Sequence, residues 1–247
     1  MHDVDRTQLL LLAALLLLTG CRTTLSPAVD RELEAKIETI IAPKKARIGV
    51  GVVWNHRVIA AVNDDCGYPL MSVMKFHQAL TVADVLSRSG TPLKRMLFIA
   101  RDELNPDTWS PLRDRYPLGD KELSVLELLE YTLRQSDNNA CDILFRRFGG
   151  PEAVDRCIRS LGFDCFAIAV TEEEMHTDPA CCYANRSAPS EMALLLDRFV
   201  DRAPFATEYW DFIVRTMLAC TTGTDRAGEY GSRHRAQDRN GRPERTG

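Results

Sequence analysis

Apolar positions recur every three or four residues through most of the chain, the mark of helices with one buried face. DRELEAKIETII, from Asp30 to Ile41, is the first such run. ARIGVGVVW (Ala46 to Trp54) and RVIAAVN (Arg57 to Asn63) then break the period; both are rich in valine and isoleucine, and Asn55-His56 joins them, so they predict a β-hairpin. From Ser72 onward the pattern is helical again. KFHQALTVADVLSRSG closes on Gly90 with Pro92 beyond. SVLELLEYTLRQ opens with Ser124 and Glu127 at capping-box spacing, and DILFRRFGG ends on Gly149-Gly150. PEAVDRCIRSLG, APSEMALLLDRFV and FATEYWDFIVRTMLAC add three more amphipathic helices. Between them, Phe163 to Ala188 carries no clear period and is too long for an idle connection, so an irregular functional loop is expected there. Two strands alone are marginal, and the C-terminus is the expected donor of others.

The two ends depart from this pattern. LLLLAALLLL (Leu9 to Leu18) is too short to span a bilayer but suits the apolar part of a secretory signal, and Leu18-Thr19-Gly20-Cys21 follows at once. That order resembles a bacterial lipobox, which implies residues 1–20 as a signal peptide and lipidation at Cys21, although Asp3 and Asp5 stand where positive charge is usual. From Asp225 to Gly247 there are six arginines and four glycines but no Val, Ile, Leu, Met or Phe, a composition expected to be disordered.

The composition, 45% hydrophobic and 27% charged over 247 residues, is that of an ordinary globular chain. A net charge of -4 without basic runs gives no footprint for nucleic acid. Beyond Cys21 lie seven cysteines, an odd number that leaves at least one free thiol in an oxidising compartment; their pairing is not deducible. Cys181-Cys182 has no zinc-type spacing with a histidine, and His56 and His77 have no partners at ligand spacing, so no metal site is expected.

Candidate chemistry begins with MSVMKFH, where Ser72 and Lys75 stand one helical turn apart. About one such S-x-x-K is expected by chance in a chain of this length, so alone it carries nothing. Ser136-Asp137-Asn138 lies between two predicted helices, and Glu172-Glu173-Glu174-Met175-His176 lies in the long irregular segment. A serine hydroxyl is a poor nucleophile until its proton is taken, and Lys75 is on the right face to take it. Ser72 at a helix start also turns its backbone N–H toward a developing oxyanion. Ser136 would relay a proton to a leaving nitrogen, and Asn138 would orient Lys75 and hold a substrate amide. Asp137 reads as a buried cap. Glu172 could activate the water that hydrolyses an acyl-enzyme.

In this order the stretches resemble the class A β-lactamases of the serine penicillin-recognising superfamily, whose motifs are S-x-x-K, S-D-N, a loop glutamate and K-[ST]-G. PLMSVMKFHQAL and LRQSDNNACDILF extend the likeness beyond the motif letters, and x-x-Met-His after Glu172 is similar to a cephalosporin-active branch. The resemblance implies an α/β (α+β) fold of an antiparallel sheet with flanking helices plus an all-helical part, spanning residues 21–224, with the site between them. It implies Ser72, Lys75, Ser136 and Glu172 as catalytic residues, and Asn138, Trp109 and His176 as substrate-binding ones. It implies a small β-lactam as substrate, no cofactor, a monomer, and a periplasmic location with the membrane touched only through a lipid anchor.

The fourth motif is not readable. Arg245-Thr246-Gly247 mimics its shape, and a one-nucleotide shift from His234 onward permits K-T-G with suitable neighbours, so a frame broken near Arg226 is expected, with the C-terminal strands missing or disrupted. Losing one oxyanion donor costs about 3 to 4 kcal/mol of transition-state stabilisation. The rival expectations are a D-alanyl-D-alanine peptidase or penicillin-binding protein, which shares S-x-x-K but deacylates slowly, and a noncatalytic lipoprotein remnant.

Overall fold

The computed structural model describes residues 29–201 and 207–223; the leader, Cys21 and the arginine-rich tail lie outside the described residues. Helix α1 (Arg31–Ile41) starts where Asp30 accepts the N–H of Leu33, and leads to the antiparallel hairpin β1 (Val50–Trp54) and β2 (Arg57–Val62). Asn55 and His56 both take positive φ, as a tight two-residue turn requires. The register slips between Val52 and Val53.

Two small antiparallel sheets were not legible in the hydrophobic pattern. β4 (Met96–Ile99) pairs with β5 (Lys121–Ser124), and β3 (Tyr68–Pro69) and β6 (Phe166–Ala167) flank β7 (Arg186–Ser187). Strands of two to four residues are too short for alternation to declare itself.

Helix α2 (Met74–Ser89) runs through the middle of the core. Eleven of its residues are buried, among them Met74, Ala79, Leu80, Val82, Ala83 and Leu86, because α4 (Val125–Gln135), α5 (Asn138–Phe148), α6 (Gly150–Ser160) and α9 (Thr207–Leu218) all pack on it. It ends at Gly90, whose φ of 63° no β-branched residue would accept. Helix α3 (Pro111–Arg115) caps the same core, and α8 (Pro189–Val200) lies across β1. That last approach needs Gly51, since a Cβ there would overlap the backbone of Ser190.

The segment 163–188, expected to be irregular, instead holds β6, a short helix α7 (Glu172–Thr177), a 3-10 turn (Pro179–Tyr183) and β7. Its helix is fixed locally: Thr171 accepts the N–H of Glu174, and Glu174 accepts that of Thr171, a capping box hidden within the acidic run. Cys66 and Cys165 form a disulfide across 99 positions of sequence, while Cys141, Cys157, Cys181, Cys182 and Cys220 are free. Among the described residues no helix is long and apolar enough to cross a membrane.

Candidate active site

Three joints in the chain converge on one amine. Met71, with φ 47°, turns the chain sharply into the 3-10 turn Met71–Val73 and leaves Ser72 exposed at the head of α2. One turn on, Lys75 is buried, and its Nζ donates to Ser72 Oγ at 3.2 Å. The second joint is between α4 and α5, where Ser136 ends one helix in the left-handed conformation (φ 55°) and Asp137 caps the next. That reversal aims both the carbonyl and the hydroxyl of Ser136 at Lys75, at 2.9 and 3.2 Å, and Asn138 Oδ1 accepts from the same nitrogen at 2.7 Å. The third is the start of α7, where the buried carboxylate of Glu172 lies 2.8 Å from Lys75 Nζ. A buried amine in contact with a hydroxyl nucleophile, a second hydroxyl and a carboxylate can pass a proton among all three.

The support of this cluster is also buried. Asp137 accepts the Leu112 and Ala140 N–H groups and the Ser110 hydroxyl, and burial raises its pKa although these donors oppose the shift. It is the structural cap expected of it. Asp142 accepts the backbone N–H of Glu172 and of Glu173, each at 2.9 Å, and so fixes the first turn of α7. Burial pushes Asp142 up to about 7, with the neighbouring Glu172 charge adding to the rise. Asn185 accepts from Ala169 and Val170 and donates to Val170 O, closing the loop on itself. Sequence reasoning missed Asp142, Asn185 and Thr108, which accepts a hydrogen bond from Asn138. Only Asp142 left a signal: it lies four residues beyond Asn138, on the same helix face.

Trp109 is exposed. Its indole donates to Gln135 O, and its carbonyl accepts from Asn138 N, so its loop is tied to the Ser136 joint. His176 is exposed on α7, one turn past Glu172, and is not among the groups that meet Lys75. His77 is packed, its ring stacked on Phe166, and burial lowers its pKa to about 4. His56, without a partner at ligand spacing in the sequence, meets Asp197 at 2.8 Å and Asp201 at 2.9 Å in the fold; these carboxylates, some 140 positions on, raise its pKa. A cavity of about 350 Å³ opens over Ser72, Lys75 and Ser136 and runs toward Met192, Leu196 and Met217.

The chain matches the family described as "Beta-lactamase enzyme family" over residues 32–222. A beta-lactamase of Bacteroides uniformis is 35% identical over 216 residues, 87% of this chain and 73% of the relative. One from Phocaeicola vulgatus is 36% identical over 209 residues, 84% of this chain and 65% of its own. Among solved structures, a class A beta-lactamase from Bacteroides cellulosilyticus superimposes with a TM-score of 0.75 at 36% identity, covering 80% of this chain and 71% of that one. The TLA-1 extended-spectrum beta-lactamase gives 0.76 at 39% identity, covering 79% and 71%. The chain thus spans 65 to 73% of the length of these relatives. With matching fold, family description and identity over most of its length, the chain belongs to the beta-lactamase enzyme family.

Proposed function

We propose that this chain opens the β-lactam ring of penicillins and cephalosporins through an acyl-enzyme on Ser72 and so contributes to antibiotic resistance. One observation carries the reading: Lys75 Nζ lies within 3.2 Å of Ser72 Oγ, Ser136 Oγ, Asn138 Oδ1 and Glu172 Oε1 at once. Ser72 Oγ attacks the lactam carbonyl as its proton passes to Lys75 or, through it, to Glu172. Ser136 returns a proton to the departing nitrogen, and the ring C–N bond breaks. Glu172 then deprotonates a water that attacks the ester, releasing the acid and restoring Ser72. Asn138, Trp109 and His176 are the substrate-facing groups. The names of its relatives, including the extended-spectrum beta-lactamase PER-1 of Pseudomonas aeruginosa, at 29% identity, support the same substrate class.

Export with lipidation at Cys21, and a monomer of which residues 21–224 form the catalytic part, complete the proposal. The Cys66–Cys165 bridge supports export, because such bonds persist in oxidising compartments. The test is to incubate the purified chain with a chromogenic cephalosporin and to measure turnover and the mass of the peptide bearing Ser72. Turnover is expected. A stable adduct without turnover would make it a penicillin-binding protein, and neither would make it a noncatalytic lipoprotein.

A further inference from the structure

We infer that the Cys66–Cys165 disulfide is a positioning device for Glu172, clamping the entry of the Glu172 loop to the strand that delivers Ser72, so that deacylation depends on the bridge and acylation does not. The inference rests on the roles proposed above for Ser72 and Glu172, with Lys75 as the base of the acylation step.

Cys66 precedes Ser72 by six residues, and Cys165 precedes Glu172 by seven. The two limbs share one partner: Tyr68 of β3 and Phe166 of β6 both stand opposite Ser187 of β7. Both pairings are antiparallel, so the residues before Tyr68 and before Phe166 run alongside the chain that leaves Ser187. There Ala188 N–H donates to Cys165 O at 2.9 Å, and the disulfide joins the outer limbs beyond the end of β7. Each of these pairings is only two residues long, a ladder that holds weakly by itself. The covalent link is therefore the firm element of the clip.

The two limbs are anchored unequally beyond the bridge. On the Ser72 side the chain enters α2, whose burial among α4, α5, α6 and α9 holds Lys75 without help from the loop. On the Glu172 side, Phe166 and Ile168 are buried, and the backbone after Cys165 is held at scattered points: Arg159 donates to Phe166 O, Ile168 N–H donates to Asp155, and Asn185 bonds Ala169 and Val170. Asp142 and the Lys75 amine then hold the tip. Opening the bridge thus frees the entry of the limb that carries the hydrolytic carboxylate while leaving Lys75 in the core and Ser72 at the head of the helix that holds it. A displacement of about 1 Å at a reacting group costs on the order of a hundredfold in rate.

The experiment compares the wild-type chain with the Cys66→Ser/Cys165→Ser double variant, and with Cys157→Ser as a control that removes a free cysteine. Rapid-quench mass spectrometry with a cephalosporin separates Ser72 acylation from deacylation. Expected are acylation within about threefold of wild type, deacylation slowed roughly 10- to 100-fold, and an acyl adduct that accumulates. Equal slowing of both steps, as a loss of folded protein alone would give, overturns the inference. Hydrogen exchange supplies a readout independent of activity: the amides of residues 168–173 should exchange faster in the double variant while those of α2 and α5 do not, and unchanged exchange at 168–173 overturns the clamp. Should the variant not fold, gentle reduction of the folded wild type, with both new thiols counted by mass, provides the same comparison. A wild type that neither turns over nor forms an adduct defeats the proposed function, and the exchange data still decide whether the bridge holds the loop.

Discussion

Replacing Asp142 by asparagine is expected to flatten the pH dependence of stability between about pH 4 and pH 7. Asp142 is 5% exposed, and burial lifts its pKa from 3.8 to about 7. A group whose folded pKa is raised binds its proton more tightly in the folded state. The wild type is therefore favoured below the unfolded value and loses stability as pH climbs toward the folded one. Three pH units at about 1.4 kcal/mol each set a ceiling of about 4 kcal/mol, a figure that already contains the two backbone N–H bonds the carboxylate accepts. Asparagine is uncharged like the protonated acid, but its NH2 faces one of the two N–H groups that the carboxyl oxygens accept, so at about pH 4 the variant should be the less stable by about 1 to 3 kcal/mol. By about pH 8 the ionised wild type has lost up to about 4 kcal/mol that the variant has not, so the gap should close or reverse. Asp137 and His77 also titrate with shifted values, but they are present in both proteins and cancel in the difference. Urea unfolding followed by tryptophan fluorescence at several pH values measures it. Parallel stability curves for the two proteins, offset by a constant, would refute the reasoning.

Glu172→Gln should leave Ser72 acylation largely intact and slow hydrolysis by about a hundredfold or more, so that mass spectrometry finds an acyl adduct where the wild type shows none. Asp137→Ala strands the Ser110 hydroxyl and the Leu112 and Ala140 N–H groups, and should cost roughly 2 to 4 kcal/mol in urea unfolding. His77, with its folded pKa lowered to about 4 from 6.5, supplies stability that is complete above the unfolded value and lost as pH falls toward the folded one. His77→Leu should remove that loss, worth up to about 3 kcal/mol, and acid unfolding monitored by circular dichroism should shift to lower pH.

The long helices and the hairpin were legible because their apolar stripes are continuous and their ends carry explicit signals, such as the Ser124–Glu127 box and Gly90. Ser72, Lys75 and the Ser136 joint were legible because they fall at three-residue and four-residue spacings. Glu172 could be distinguished from two neighbouring glutamates only through the Met175-His176 spacing; in the fold it is buried against Lys75 while Glu173 and Glu174 are exposed. The features that stayed hidden depend on contacts between distant positions. Asn185 reaches back to Ala169 and Val170, Asp142 reaches forward 30 positions, and no local period encodes either. The Cys66–Cys165 pairing was equally silent, since seven cysteines allow many partners and only tertiary geometry selects one.

Trp109 and the Ser136 joint are laced in both directions, the indole donating to Gln135 and the Trp109 carbonyl accepting from Asn138. A loop held this way shares its backbone position with Asn138, whose Oδ1 accepts from Lys75. Under selection for bulkier substrates, the chain can exchange the side chain at position 109 at the cost of the indole bond to Gln135 alone, because the carbonyl that holds Asn138 stays where it is. Insertions or deletions in the same loop would move Asn138 with it, so new substrate range is expected to arise there by substitution and only rarely by a change of length.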